Sequence, residues 1–195
     1  MMMAVMLSQV LWFYGADAVG KSAVGWEAYS QLVGRGLPAA HVDTDHLGFC
    51  DPRPADPSAL VAANLGAVWR NYAQHGIRLL VVSGILASPA DRRTYAGALA
   101  GSRLTAVLLH ARPDTIRTRV VRRREVEAAE RQSQVSEADL RELDAYGDRS
   151  TRFAARLEAA NFSDLTLSTD DGTPAEIAAR ALDRLLAPSD EPRER

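Results

Sequence analysis

The sequence has 195 residues, 23 basic and 25 acidic, so its formal net charge is −2. This near-neutral balance does not indicate nucleic-acid binding, which usually requires a strongly basic domain, and no apolar run reaches the ~20 residues of a membrane span. Because Cys50 is the only cysteine, an intrachain disulfide and a multi-cysteine zinc site are both excluded.

Short apolar runs alternate with segments of helical periodicity along the chain. In order, the first half predicts a strand at Val10–Tyr14, a helix at Lys21–Val33, a strand at Ala39–Asp43, a proline-rich loop at Asp51–Pro57, a helix at Ser58–Gln74 and a strand at Arg78–Ser83. The second half predicts a helix at Pro89–Leu99, a strand at Leu104–His110, a helix at Pro113–Arg131, a helix at Glu137–Ala160 with a possible joint at Gly147, a strand at Leu165–Ser168 and a helix at Pro174–Leu186.

This alternation predicts the α/β class, a three-layer sandwich around a five-stranded, mainly parallel sheet. We expect one domain over residues 1–187 and a disordered polar tail over residues 188–195. The apolar N-terminus lacks the basic region of a signal peptide and is interpreted as leading into a buried strand. We therefore expect a cytoplasmic protein, monomeric or homodimeric, with no nucleic-acid or membrane partner.

A phosphate-binding loop follows the first predicted strand. The segment GADAVGKS fits G-x-x-x-x-G-K-[ST] completely, and its position between a strand and a helix is the one this motif requires. Glycines allow the backbone to curve around phosphate oxygens, and the helix N-terminus attracts the same anion. The predicted nucleotide-binding residues are Gly15, Ala16, Asp17, Ala18, Val19, Gly20, Lys21 and Ser22.

Lys21 is the only lysine of the chain, and this narrows the class of nucleotide protein. A guanine-specific GTPase needs a second lysine in its N-K-x-D motif, and a protein kinase needs one on a later strand. The third predicted strand ends VVSG rather than in the acidic residue typical of ATP-driven motors. The sequence therefore favours phosphoryl transfer to a bound acceptor over free hydrolysis.

Two aspartates follow the second predicted strand, in the segment HVDTDHLG. Ligands of open α/β sheets bind at this edge, and in an extended segment Asp43 and Asp45 would point the same way. One carboxylate would accept or orient the acceptor proton, and the other would support Mg²⁺. The sequence does not assign the two roles, and a pair of solvated loop aspartates is the alternative.

With these segments the chain resembles the P-loop small-molecule and nucleotide kinases. The resemblance lies in FYGADAVGKS, VDTD, VVSG and the arginine-rich segment after the fourth strand. The stretch RGLPAAHVDTDHLG is similar to adenylylsulfate kinases, and a carboxylate after the second strand resembles shikimate kinases and chloramphenicol phosphotransferases. The resemblance implies ATP and Mg²⁺ as cofactors, with Ser22 and Asp43 at the metal.

The segment TRVVRRR resembles the start of the lid in adenylate-kinase-like enzymes, which implies a small arginine-rich lid. The resemblance implies that Arg119 contacts the nucleotide base and that Arg123 contacts the phosphates. It also implies that Thr169–Pro174 corresponds to the loop that lines the adenine pocket. A solvated helix face is the alternative for each arginine. Arg122 and Arg124 are neighbours that could serve instead. Arg149 and Arg152 resemble the arginines that reach the site from the segment after the lid.

We therefore expect an ATP- and Mg²⁺-dependent kinase that phosphorylates a hydroxyl or phosphate group of a small molecule. Its expected catalytic residues are Lys21, Asp43, Asp45 and Arg123. Three alternatives use the same motif: an antibiotic- or sugar-modifying phosphotransferase, a nucleotide-binding regulator without catalysis, and a slow NTPase that acts as an assembly switch.

Overall fold

The computed structural model describes residues 8–131 and 136–186; the predicted polar tail lies outside this range. Five strands are formed, β1 (Ser8–Tyr14), β2 (Ala39–Asp43), β3 (Leu79–Ser83), β4 (Ser102–His110) and β5 (Leu165–Ser168). The helices are α1 (Lys21–Gly34), α2 (Pro57–Gln74), α3 (Pro89–Ala98), α4 (Pro113–Glu130), α5 (Glu137–Ala160) and α6 (Pro174–Leu186). A single 3-10 turn, Thr44–Leu47, follows β2.

The strands form one sheet in the order β2-β3-β1-β4-β5, and every pair is parallel. β1 lies in the middle, and Trp12 pairs with Val82 on one side and Ala106 on the other. This position explains why Val10–Tyr14 is a continuous apolar run, since a central parallel strand is covered on both faces. The predicted α/β sandwich with a five-stranded sheet is confirmed.

Side chains of β1 alternate between two apolar cores. Leu11 and Phe13 face a core that contains residues of α1, α4 and α6. Trp12 and Tyr14 face the second core, to which α2 and α3 contribute, with Trp69 of α2 among its buried members. The sheet is thus covered by helices on both faces, and no helix in the described part of the chain is long and apolar enough to cross a membrane.

Several element boundaries differ from the prediction for local reasons. β1 and β4 each begin two residues earlier, where they pair with one another from Ser8 and Ser102. α2 begins at Pro57 because Asp56 caps it, its Oδ1 accepting from the Ala59 amide at 3.1 Å. Gly147 is not a joint: α5 continues through it.

α4 and α5 form an antiparallel pair of helices where the resemblance implies a lid. Arg117 donates to Asp148 at 2.8 Å, and Arg124 donates to Asp139 at 3.0 Å. Gly147 lets the helices approach, since a Cβ there would lie 3.1 Å from Arg117 Cγ. In the described part of this segment the chain therefore forms two paired helices, and not a glycine-rich flap.

Candidate active site

The phosphate loop connects β1 to α1 through backbone that favours glycine. Gly15 has φ 153°, and a Cβ there would lie 2.3 Å from the carbonyl oxygen of Leu109. Gly20, at the N-cap of α1, has φ 100°, and Ala18 also has a positive φ, 62°. Left-handed residues in such a loop turn successive N–H groups toward one concavity.

The N-terminus of α1 is left open to an anion. No side chain caps it, and its first turn contains no acidic residue, so the positive end of the helix dipole is not neutralised by the helix itself. Lys21 is 8% exposed, and its Nζ donates to the Ala16 carbonyl at 3.0 Å and lies 3.7 Å from Asp17 Oδ1. The only lysine therefore lies inside the loop.

Ser22 and Asp43, predicted as metal ligands from distant segments, are in contact. Ser22 Oγ donates to Asp43 Oδ2 at 2.7 Å, and the Asp45 amide donates to Asp43 Oδ1 at 3.1 Å. Both carboxylate oxygens of Asp43 are thus engaged. Oxygen donors of this kind suit Mg²⁺, which takes one or two protein ligands and completes its shell with water and phosphate.

The extended backbone expected around Asp45 is not formed. After β2 the chain enters the 3-10 turn Thr44–Leu47, which Asp43 caps. Asp45 lines a cavity beside this turn. Burial raises the pKa of its carboxyl above the ordinary value, and the nearby charge of Asp43 raises it further.

A buried serine occupies the end of β3. Ser83 is 0% exposed, its Oγ donates to the Lys21 carbonyl at 3.2 Å, and the same Oγ lies 3.0 Å from His41 Nε2. Because Ser83 Oγ already donates, it accepts from His41, whose pKa is lowered chiefly by burial. Ser83 therefore links α1 to the end of β3, the position at which ATP-driven motor proteins have an acidic residue.

A cavity of about 350 Å³ opens beside Asp45. Two stretches of the chain line it: residues 44–61, from the turn after β2 into α2, and residues 85–95, from the end of β3 into α3. Sequence reasoning missed its members apart from Asp45, since no motif marks them. The lining residues are Thr44, Asp45, Gly48, Phe49, Arg53, Pro57, Ser58, Val61, Ile85, Ala87, Asp91 and Tyr95.

Arg119 joins α4 to two loops. Its Nη1 donates to Thr169 Oγ1 at 2.9 Å and to the Val19 carbonyl at 3.4 Å, and its Nη2 donates to the Thr169 carbonyl at 2.6 Å. The guanidinium therefore ties the phosphate loop to the start of the segment Thr169–Pro174. The structure thus brings Arg119 and the start of Thr169–Pro174, which the resemblance assigns to the nucleotide base, together beside the phosphate loop.

Arg123 lies on the exposed side of α4. Its side chain is 78% exposed and pairs with Glu127 at 3.2 Å, at the edge of a cavity shared with Ala18 and Tyr146. Tyr146, which sequence reasoning did not single out, lines this cavity together with Ala18 of the phosphate loop. Burial, and after it the carboxylate of Asp17, raises the pKa of the Tyr146 hydroxyl to about 12. Thus α5 lies beside the loop.

The remaining candidate arginines serve the helix pair or face solvent. Arg124 pairs with Asp139 and Glu127, and Arg149 lies over the Tyr146 ring with its Cζ 5.7 Å from the ring centroid. Arg122 and Arg152 are exposed. Of the predicted arginines, only Arg119 donates a hydrogen bond to the phosphate loop among the described contacts.

Solved structures share the fold of this chain. The tunicamycin resistance protein of Deinococcus radiodurans has a TM-score of 0.61 at 15% identity, covering 91% of this chain and 95% of its own. A gluconokinase of Sinorhizobium meliloti has a TM-score of 0.59 at 17% identity, covering 92% and 94%. The APS kinase of Mycobacterium tuberculosis, in complex with AMPPNP and APS, has a TM-score of 0.56 at 20% identity, covering 92% and 98%.

The chain has the P-loop kinase fold. No protein-family model and no curated protein sequence matches it, so the likeness is one of architecture. Coverage above nine-tenths of both chains means that the P-loop kinase fold extends over nearly the whole protein.

Proposed function

We propose that this protein is an ATP-dependent phosphotransferase that moves the γ-phosphoryl group to a hydroxyl of a small molecule. The observation that carries the proposal is the convergence of a complete phosphate loop, with Lys21 inside it, and a carboxylate-lined cavity at the same sheet edge. The structural neighbours named as APS kinase and gluconokinase support this class of reaction.

ATP would lie along Gly15–Ser22, with its phosphates on the loop amides and on the open N-terminus of α1. On phosphate binding, Lys21 Nζ would exchange the Ala16 carbonyl for oxygens of the β- and γ-phosphates. Arg119 would border the base beside Thr169, and Arg123 would reach the phosphates from α4, in keeping with the resemblance.

Ser22 and Asp43 would hold Mg²⁺, since their contact places a hydroxyl and a carboxylate together beside the loop. A bound Mg²⁺ would neutralise charge on the phosphate oxygens. No group of three or more His, Cys, Asp or Glu that could hold a metal occurs in residues 8–131 and 136–186, so the protein would supply few ligands, as Mg²⁺ prefers.

Asp45 would accept the proton of the acceptor hydroxyl. It lines the cavity, whereas both oxygens of Asp43 are engaged with Ser22 and the Asp45 amide. As the proton moves to the Asp45 carboxylate, the hydroxyl oxygen bonds to the γ-phosphorus and the bond to the β-phosphate oxygen breaks, releasing ADP. A raised pKa suits a general base.

The residue at the end of β3 favours phosphoryl transfer to an acceptor over hydrolysis of ATP. Ser83 offers no carboxylate, and its hydroxyl is already bonded to the Lys21 carbonyl and His41. The cavity beside Asp45 instead provides room for an organic acceptor of small-molecule size.

The proposal is tested with the intact chain by calorimetric titration of ATP with Mg²⁺ and by ADP formation across a library of small alcohols. We expect ATP binding and acceptor-stimulated ADP formation, and loss of the latter by at least about 1,000-fold in Lys21→Ala. Acceptor-stimulated turnover that survives unchanged in Lys21→Ala would contradict the proposal.

A further inference from the structure

The charge of the cavity beside Asp45 indicates which acceptors it can hold. Two carboxylates line it, Asp45 and Asp91, and Arg53 is the cation among its described lining residues. Arg53 is exposed, on the proline-rich loop. The side chain of Asp45 is exposed as well, and that of Asp91 is partly buried, so the described lining carries two carboxylates against one guanidinium.

The inner wall of the cavity includes a buried phenol. The Tyr95 ring is buried against Trp12, with ring centroids 4.7 Å apart, and Tyr95 is one of the lining residues. Three carboxylates, Asp91, Asp56 and Asp45, act on that hydroxyl and, after burial, raise its pKa, which reaches about 12. A phenol in this environment stays protonated and donates to a ligand oxygen.

Both neighbouring carboxylates are held in place. Asp91 Oδ2 accepts from the Ala87 amide at 3.0 Å. Asp56 caps α2 and accepts from the Ala59 amide and the Ser58 hydroxyl, bonds that lower its pKa and so favour its charged form. The two carboxylates are therefore fixed at the N-termini of α2 and α3, where the positive ends of the helix dipoles offset part of their charge.

An acceptor that carries its own negative charge would be repelled twice. It would approach Asp45 and Asp91, and it would also lie next to the γ-phosphate of bound ATP. A hydroxyl or an amine would instead donate to the carboxylates, and the apolar side chains of Phe49, Val61 and Ile85 would contact its carbon skeleton.

Building on the proposed function, we propose that the phosphoryl acceptor is a neutral or amine-bearing alcohol, and not a molecule that already carries a phosphate, sulfate or carboxylate group. The walls that select it are Asp45, Asp91 and the Tyr95 hydroxyl.

The test compares two sets of alcohols in which one substituent changes from a carboxylate to a neutral or an amine-bearing group. One set is D-gluconate, D-glucitol and 1-amino-1-deoxy-D-glucitol; the other is 4-(hydroxymethyl)benzoate, benzyl alcohol and 4-(aminomethyl)benzyl alcohol. Acceptor-dependent ADP formation with ATP and Mg²⁺ gives kcat/KM for each. We expect the neutral or amine member to exceed the carboxylate member by at least about tenfold, a modest ratio for like charges in a partly screened cavity.

Two variants test whether the cavity residues determine the preference between amine and carboxylate acceptors. Asp91→Asn keeps an oxygen that can accept from the Ala87 amide, and we expect it to lower the amine-to-carboxylate ratio about fivefold. Arg53→Gln should raise that ratio. Asp183→Asn, an exposed change on α6 at the other face of the sheet, is the matched control and should leave it unchanged.

The outcomes separate the two proposals. If a carboxylate member is the best substrate of its set, the acceptor class is wrong while phosphoryl transfer stands. An amine-to-carboxylate ratio unchanged in both Asp91→Asn and Arg53→Gln also overturns it. If ATP binds yet neither these probes nor the small-alcohol library is phosphorylated, the phosphotransferase proposal itself fails, and the acceptor class falls with it.

Discussion

Ser22 Oγ donates a hydrogen bond of 2.7 Å to Asp43 Oδ2, linking the first turn of α1 to the end of β2. β3 lies between β2 and β1 in the sheet, so the bond crosses the carboxyl edge above β3. It joins the phosphate loop to the segment that leads into the cavity beside Asp45, and it supports the proposed metal site at this pair.

The first prediction concerns metal dependence. In Ser22→Ala the hydroxyl is lost, and we expect the Mg²⁺ concentration for half-maximal activity to rise about tenfold or more, within the range found when groups around a metal are removed. Ser22→Thr retains a hydroxyl and is the control. Equal Mg²⁺ requirements in Ser22→Ala and the parent protein, measured by titration at fixed ATP, would remove Ser22 from the metal site.

The second prediction concerns pH. Because burial is the largest cause that raises the pKa of Asp45, the base becomes protonated at a higher pH than an ordinary aspartate. Activity should therefore fall, as pH is lowered, at a pKa above the usual value near 3.8. Asp45→Asn should abolish this acidic limb and lower kcat by about 100-fold or more.

The pH profile of kcat/KM for the acceptor gives this measurement, and Asp183→Asn on α6 serves as a charge-matched control. An acidic limb that persists at the same pH in Asp45→Asn would assign the proton transfer to another group.

The third prediction concerns Arg119, whose guanidinium ties α4 to Thr169 and Val19. Arg119→Met keeps much of the apolar stem but loses these bonds, so we expect KM for ATP to rise about tenfold while KM for the acceptor is unchanged. Arg122→Met, an exposed change on the same helix, should leave both constants unchanged. A rise confined to the acceptor KM would contradict a position at the nucleotide.

The fourth prediction concerns the packing of α1 on β3. A Cβ at Gly25 would lie 2.1 Å from Ser83 Oγ and 3.1 Å from His41 Nε2, so Gly25→Ala must displace the hydrogen bonds of Ser83. We expect a loss of about 1–3 kcal/mol in the free energy of unfolding.

Gly34→Ala is the matched control in the same helix. A Cβ there meets nothing within 4 Å, so the higher helix propensity of alanine should stabilise the protein by up to about 1 kcal/mol. Urea denaturation measures both changes. Equal stabilities of the two variants would show that the close contact at Gly25 is absent.

The phosphate loop and the α/β architecture were predictable because their signals are local. The G-x-x-x-x-G-K-[ST] spacing lies within eight residues, and apolar strand runs alternate with helical periodicity. The position of Asp43 beside Ser22 was predictable as well, since carboxyl ends of parallel strands meet at one edge.

The backbone at Asp45 was not predictable, because a 3-10 turn that Asp43 caps replaces the expected extended segment. The cavity escaped prediction because Phe49 and the α3 residues Asp91 and Tyr95 are about 40 positions apart and only the folded chain brings them together. The resemblance assigned Arg123 to the phosphates, and that role stays a prediction, since its guanidinium pairs with Glu127 in an exposed position.

The most direct test of the central claim follows the γ-phosphoryl group itself. ATP labelled with ³²P at the γ position is incubated with the protein, Mg²⁺ and the small-alcohol library, and the label is separated into ATP, inorganic phosphate and organic phosphate. We predict label in an organic phosphate, at a yield lost in Lys21→Ala. Label that stays in ATP, or passes only to inorganic phosphate, would contradict the account.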